Sequence, residues 1–114
     1  MSTNERRTEL RGVREERLFV KVLESEGSPE KVDKTLSCST LDVSASGMRL
    51  SVSEAVSQGT LLELWIEVKG VTGKFLLTGL VRWCCSHGEE FICGVELIEQ
   101  GEISDLADWQ ELFN

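Results

Sequence analysis

The sequence predicts an all-β-dominated fold: a six-stranded antiparallel β-barrel with a short C-terminal α-helix. Three observations carry this. Polar and apolar residues alternate with period two in a succession of short runs. Stretches rich in Gly, Ser, Asp and Glu punctuate those runs at hairpin spacing. The period then changes to three and four near the C-terminus. Six strands in an open sheet would leave two exposed edges, so a closed or nearly closed barrel is the expected solution. The 114 residues, 40% of them hydrophobic, suffice for one core and leave no room for a large buried catalytic cleft.

The elements follow in order. RLFVKVLE (17–24) has the branched and aromatic content of a strand. SEGSPEKVD (25–33) holds the only proline and reads as a loop. KTLSCSTLDV (34–43) alternates, with Leu36, Cys38 and Thr40 on one face and Thr35, Ser37, Ser39 and Leu41 on the other. GMRLSV (47–52) turns Met48, Leu50 and Val52 one way. Residues 53–59 connect it to LLELWIEV (61–68), which aligns Leu62, Leu64, Ile66 and Val68 opposite acids. KGVTG (69–73) is a hairpin turn, and KFLLTGLVRWCC (74–85) a long strand with a bulge or tight bend expected at Gly79. SHGEE turns it back into the last strand, FICGVELIE (91–99). ISDLADWQELF (103–113) spaces Ile103, Leu106, Trp109 or Gln110, and Phe113 as one helix face, with Ser104 as N-cap and Asp105 and Asp108 in the first turn. Trp109 is expected to dock that helix. Trp65 and Trp83 are expected to pack into the barrel or under the helix, although either would serve as a stacking platform if exposed.

Charge divides the chain. Residues 1–21 carry six basic and four acidic side chains, net +2, and residues 22–114 carry six basic and sixteen acidic, net −10, which together give −8. Such an acidic body argues against a general DNA- or RNA-binding surface, and the basic leader suggests a local anion site. The domain reading is therefore a flexible basic segment over 1–16 and a barrel domain with its helix over 17–114. The first fifteen residues are polar and charged, and no run of about 18 apolar residues occurs, so a cytoplasmic protein without membrane insertion is expected.

Metal and catalytic chemistry find little support. Cys38, Cys84, Cys85 and Cys93 form no C-x-x-C pair, and His87 is the only histidine. These thiols read as small hydrophobes, with at most one of the adjacent Cys84 and Cys85 in the core because successive strand residues face opposite ways. His87 sits in a turn that suits a solvated imidazole, and no serine or cysteine lies in a nucleophile motif. The expectation is no enzyme, no catalytic residue, no metal and no cofactor.

Two short motifs remain. Arg6-Arg7-Thr8-Glu9-Leu10-Arg11 contains R-x-x-x-R from Arg7 to Arg11, ahead of the first strand. Asp42-Val43-Ser44-Ala45-Ser46-Gly47 is D-x-S-x-x-G between two strands. Read alone, the second is an ordinary turn and the first a solvated leader. In this order, with the LTGLVRW and CGVEL strands and the DWQELF ending, they resemble the PilZ domain family. That resemblance implies a six-stranded barrel with a C-terminal helix that binds cyclic di-GMP, a bacterial second messenger. It implies that Arg7 and Arg11 clamp the ligand with Arg6 beside them in the binding segment, that Asp42 and Ser44 contact a guanine or hold the arginines, and that Gly47 shapes the turn. Arginine's planar fork suits phosphate oxygens and the O6/N7 edge of guanine, a carboxylate accepts from guanine's amino and imino groups, and glycine permits close backbone approach or positive φ. Arg14 and Arg17 form a competing R-x-x-R register nearer the strand, and Arg82 reads as a ligand contact or, in preference, a surface charge. The resemblance further implies a downstream protein partner in motility, attachment or exopolysaccharide control. The alternative is a protein-interaction module of the same fold that does not bind the nucleotide.

Overall fold

A computed structural model of the chain describes residues 17–68, 70–100 and 104–113. The predicted basic segment over 1–16, with Arg6, Arg7, Arg11 and Arg14, lies outside the described residues.

Seven strands form one antiparallel sheet: β1 (Arg17–Glu24), β2 (Thr35–Leu36), β3 (Cys38–Val43), β4 (Gly47–Val52), β5 (Leu61–Glu67), β6 (Lys74–His87) and β7 (Glu90–Ile98). A single short helix, α1 (Leu106–Glu111), follows. The spatial order is β2-β1-β5-β6-β7-β4-β3. The expected six strands become seven because the run over 34–43 breaks at Ser37. Its first part pairs with β1, as Val20 opposite Leu36, and its second part with β4, as Cys38 opposite Val52. The sheet is therefore not closed by a continuous ladder, and barrel describes it only loosely. Its two edge strands are consecutive in the chain, so the curled sheet meets itself at one residue. The Ser53 amide donates to the Ser37 carbonyl at 3.1 Å and ties that corner to the end of β4.

Inward faces follow the predicted alternation. Val20 and Val22, Met48, Leu50 and Val52, Leu62, Leu64 and Ile66, Phe75, Leu77 and Val81, and Val95 and Leu97 are all buried in one cluster. Gly79 makes no bulge. It pairs regularly with Leu62 and Leu97, and a Cβ there would stand 2.4 Å from Val95 Cγ1, so the position is glycine because the core leaves no space. Cys84 faces inward and Cys85 is exposed, as successive strand positions require.

Two tryptophans depart from expectation. Trp65 is 38% and Trp83 44% exposed; both stand on the outer face. Trp65 lies directly opposite Phe19, which is 59% exposed, so β1 and β5 share an outward aromatic pair.

The helix is shorter than the predicted 103–113, and residue 103 lies outside the described residues. Asp105, not Ser104, occupies the N-cap position, and its carboxylate is committed elsewhere. The Leu76 amide donates to Asp105 Oδ2 at 2.7 Å, and the Asp105 amide donates to the Leu76 carbonyl at 3.0 Å. Leu76 lies beyond the last β7 partner of β6, so Asp105 satisfies backbone groups that the ladder leaves open. Ser104 Oγ accepts from the Leu106 amide at 3.3 Å. Leu106 and Trp109 are buried, and Trp109 packs edge-on to Phe75 with ring centroids 5.5 Å apart. No helix among the described residues is long and apolar enough to cross a membrane.

Candidate functional site

Four residues on four adjacent strands form one row across the outer face. Trp83 on β6 lies opposite Gly94 on β7, Gly94 opposite Arg49 on β4, and Arg49 opposite Asp42 on β3. Two bulges create this row. On β3 the register jumps from Thr40–Leu50 to Asp42–Arg49, skipping Leu41. On β6 it jumps from Val81–Val95 to Trp83–Gly94, skipping Arg82. Without them Leu41 would oppose Arg49 and Arg82 would oppose Gly94. The extra residue in each strand re-aims one side chain, which is how bulges commonly serve sites.

The Trp83 indole stands over Gly94. A Cβ on Gly94 would stand 2.2 Å from Trp83 Nε1 and 2.3 Å from Cε2, so the indole occupies the volume of the absent side chain. The side chain is nonetheless 44% exposed. At the far end of the row, Arg49 Nε and Nη2 both reach Asp42 Oδ2, at 2.8 and 2.6 Å. Asp42, first by accepting that hydrogen bond and second by its charge, raises the Arg49 pKa, so the guanidinium is firmly charged. Oδ1 of Asp42 has no hydrogen-bond partner among the described residues. Beside the row, Arg82 donates Nε–H to Glu96 Oε1 at 2.6 Å, and its Nη2 contacts the same oxygen.

The Ser44–Gly47 turn forms the adjacent wall. The Ser44 amide donates to the Gly47 carbonyl at 2.8 Å, and the Ser44 hydroxyl bridges the Gly47 amide and carbonyl, both at 3.1 Å. Gly47 takes no positive φ. It is glycine because a Cβ would stand 2.6 Å from the Val95 carbonyl oxygen. The helix secures the turn from behind: Trp109 Nε1 donates to the Ser44 carbonyl at 2.9 Å and Gln110 Nε2 to that of Ala45 at 3.4 Å. Together these walls enclose an open groove of about 360 Å³ lined by Asp42, Ser44, Gly47, Arg49, Arg82, Trp83, Gly94 and Glu96, among others.

Of the predicted site residues, Asp42, Ser44 and Gly47 meet at this groove. Arg6, Arg7 and Arg11 lie outside the described residues. Arg17, from the competing register, is an exposed residue opposite Glu67 at the start of β1 and does not line the groove. Arg49, Trp83, Gly94 and Glu96 were not among the predicted site residues, and Arg82, read as a surface charge, lines the groove in an ion pair. The available signal was the position of Arg49 two residues after Gly47, on the polar face of its strand. Among the described residues, no group of three or more His, Cys, Asp or Glu side chains is arranged to hold a metal ion.

A family model described as PilZ domain matches residues 5–112. No curated protein gives a significant match to the chain.

Proposed function

The chain belongs to the PilZ domain family, a family of cyclic di-GMP-binding modules, and from that premise we propose that it is itself a cytoplasmic receptor for cyclic di-GMP that performs no chemical step. The observation that carries this reading is the Trp83–Gly94–Arg49–Asp42 row. The exposed Trp83 indole offers a ring on which a purine can stack. The Asp42 carboxylate accepts from the amino and imino groups of a guanine. Arg49 stands beside it with donors for O6, N7 or a phosphate oxygen.

Charge argues for the role of the arginine leader. Asp42 and Glu96 offset Arg49 and Arg82, so the groove alone brings no net positive charge to the two phosphates of the ligand. Arg6, Arg7 and Arg11 supply it, with Arg7 and Arg11 as the clamp. Ordering that leader costs conformational entropy, which charge-assisted contacts offset. The ordered segment then alters the surface presented to a downstream protein partner.

Isothermal titration with cyclic di-GMP, with GTP as control, tests the reading. Binding in the micromolar range or tighter, absent for GTP, is expected. Arg11→Ala should weaken it by roughly tenfold or more at unchanged Tm of the free protein. Absence of both heat and a Tm shift would overturn the receptor reading. It would favour the second one, an interaction module of the same fold. The outward Phe19–Trp65 pair supports that alternative, since exposed aromatic side chains suit protein contacts.

A further inference from the structure

Three of the four cysteines face the interior. Cys93 on β7 is buried, and Cys84 on β6 and Cys38 on β3 are half-buried. Cys84 and Cys93 lie directly opposite one another in the β6–β7 hairpin. Their sulfurs are 3.1 Å apart, with the Cys93 thiol donating to Cys84 Sγ.

We propose that Cys84 and Cys93 form an oxidant-sensitive dithiol that closes to a cross-strand disulfide, a modification site beneath the Trp83–Gly94 platform. The geometry is nearly that of the product. Directly opposed residues in an antiparallel pair have Cα atoms about 4.5–5.5 Å apart, inside the range of about 4.4–6.8 Å that a disulfide spans. The sulfurs need only approach from 3.1 Å to a bond of about 2.05 Å. The other pairings are poorer. Cys85 points to the opposite face from Cys84, and Cys38 lies two strands from Cys93 along the sheet.

A peroxide suffices as the oxidant. The Cys84 thiolate, on the more accessible of the two residues, attacks one peroxide oxygen. The O–O bond breaks, water leaves after protonation, and a sulfenic acid remains on Cys84. Cys93, losing its proton, attacks that sulfur, the S–O bond breaks, and a second water departs. Two thiols lose two electrons and two protons in total, and one peroxide becomes two waters. Burial, and then the contact with Cys84, push the Cys93 pKa upward, so its thiolate is scarce near neutrality and the second step is slow.

The consequence is local. Cys84 follows Trp83 and Cys93 precedes Gly94, so the bond staples the two strands next to the β6 bulge. It removes loop-closure entropy from the unfolded chain and does not depend on any nucleotide being bound.

The test uses the full chain carrying Cys38→Ser and Cys85→Ser, so that only the proposed pair remains. Treatment with hydrogen peroxide should consume both thiols and lower the mass by two hydrogens. A Glu-specific protease, cutting after Glu89 in the hairpin turn or Glu90 at the start of β7, should leave the two strands' peptides joined until dithiothreitol is added. Tm should rise by about 5–10 °C on oxidation and return on reduction. Persistence of both thiols, or a mass gain of oxygen instead of the loss of hydrogen, would overturn the proposal. So would a wild-type disulfide that joins Cys85 or Cys38 in place of this pair.

Discussion

The indole nitrogen of Trp109 donates a 2.9 Å hydrogen bond to the carbonyl of Ser44, 65 residues away in sequence. The last helix thereby latches onto the turn that carries the D-x-S-x-x-G motif. Trp109 is 1% exposed and also packs on Phe75 and Phe113, so it serves the core and the groove wall together. Trp109→Ala should cost about 3–5 kcal/mol in chemical denaturation, as expected for a deleted buried aromatic. Trp109→Phe keeps much of the volume, removes the donor, and should cost about 1–3 kcal/mol. If the Phe variant is as stable as wild type, the hydrogen bond contributes nothing and the helix is held by packing alone.

Three glycines test three kinds of close approach. At Gly47 the obstacle to a Cβ is the Val95 carbonyl oxygen at 2.6 Å, which cannot move without breaking the ladder. At Gly79 it is Val95 Cγ1 at 2.4 Å and Leu64 Cδ1 at 3.1 Å, within a packed core. At Gly94 it is the Trp83 indole, an exposed side chain free to swing away. Gly47→Ala and Gly79→Ala should each lose about 1–3 kcal/mol of stability. Gly94→Ala should lose less, while displacing the indole and shifting Trp83 emission. Equal stability losses at all three sites would mean that Trp83 is pinned to the sheet.

The sequence made the strand succession and the inward faces legible, because one buried face imposes a strict period of two on Met48, Leu50 and Val52 or Leu62, Leu64 and Ile66. It also singled out Asp42, Ser44 and Gly47, which line the groove. The bulges at Leu41 and Arg82 escaped it, because an extra residue in one strand leaves no composition signal when no glycine marks it. Gly79, which looked like a bulge, answers to side-chain crowding from another strand. Trp83 looked like core because a large aromatic in an apolar run usually is. Only the β6 register, with its partner Gly94, turns it outward. The break at Ser37 is equally a matter of tertiary shape, set by which sheet edge each half of the run can reach.

The Asp42–Arg49 pair should matter to ligand and little to the fold. Both side chains reach solvent, where an ion pair is screened and contributes weakly to stability. Asp42→Asn should leave Tm nearly unchanged. It should weaken cyclic di-GMP binding by roughly tenfold or more, through loss of a charge-assisted acceptor. Arg49→Gln should likewise spare the fold. A large fall in Tm for Asp42→Asn would show that the carboxylate organises the bulge first and any ligand second.

Alkaline stability should report on the buried thiol of Cys38. Burial raises its pKa from 9.0 to about 11, because the thiolate is poorly solvated beside the core. The folded state thus holds its proton more tightly than the unfolded chain. The resulting stabilisation is fully present below 9.0 and is lost as pH rises toward about 11, since the unfolded state releases the proton first. Unfolding free energies of wild type and Cys38→Ser, measured by denaturant titration across this window, should therefore diverge. The wild-type value relative to the serine variant should fall with rising pH, because serine does not titrate there. The buried Cys93, whose pKa is raised first by burial and only last by Cys38, remains in both proteins. A difference that stays flat from below 9.0 to about 11 would mean that Cys38 ionises as freely in the folded protein as in the unfolded chain, and that the β3 edge opens to solvent far more readily than its packing implies.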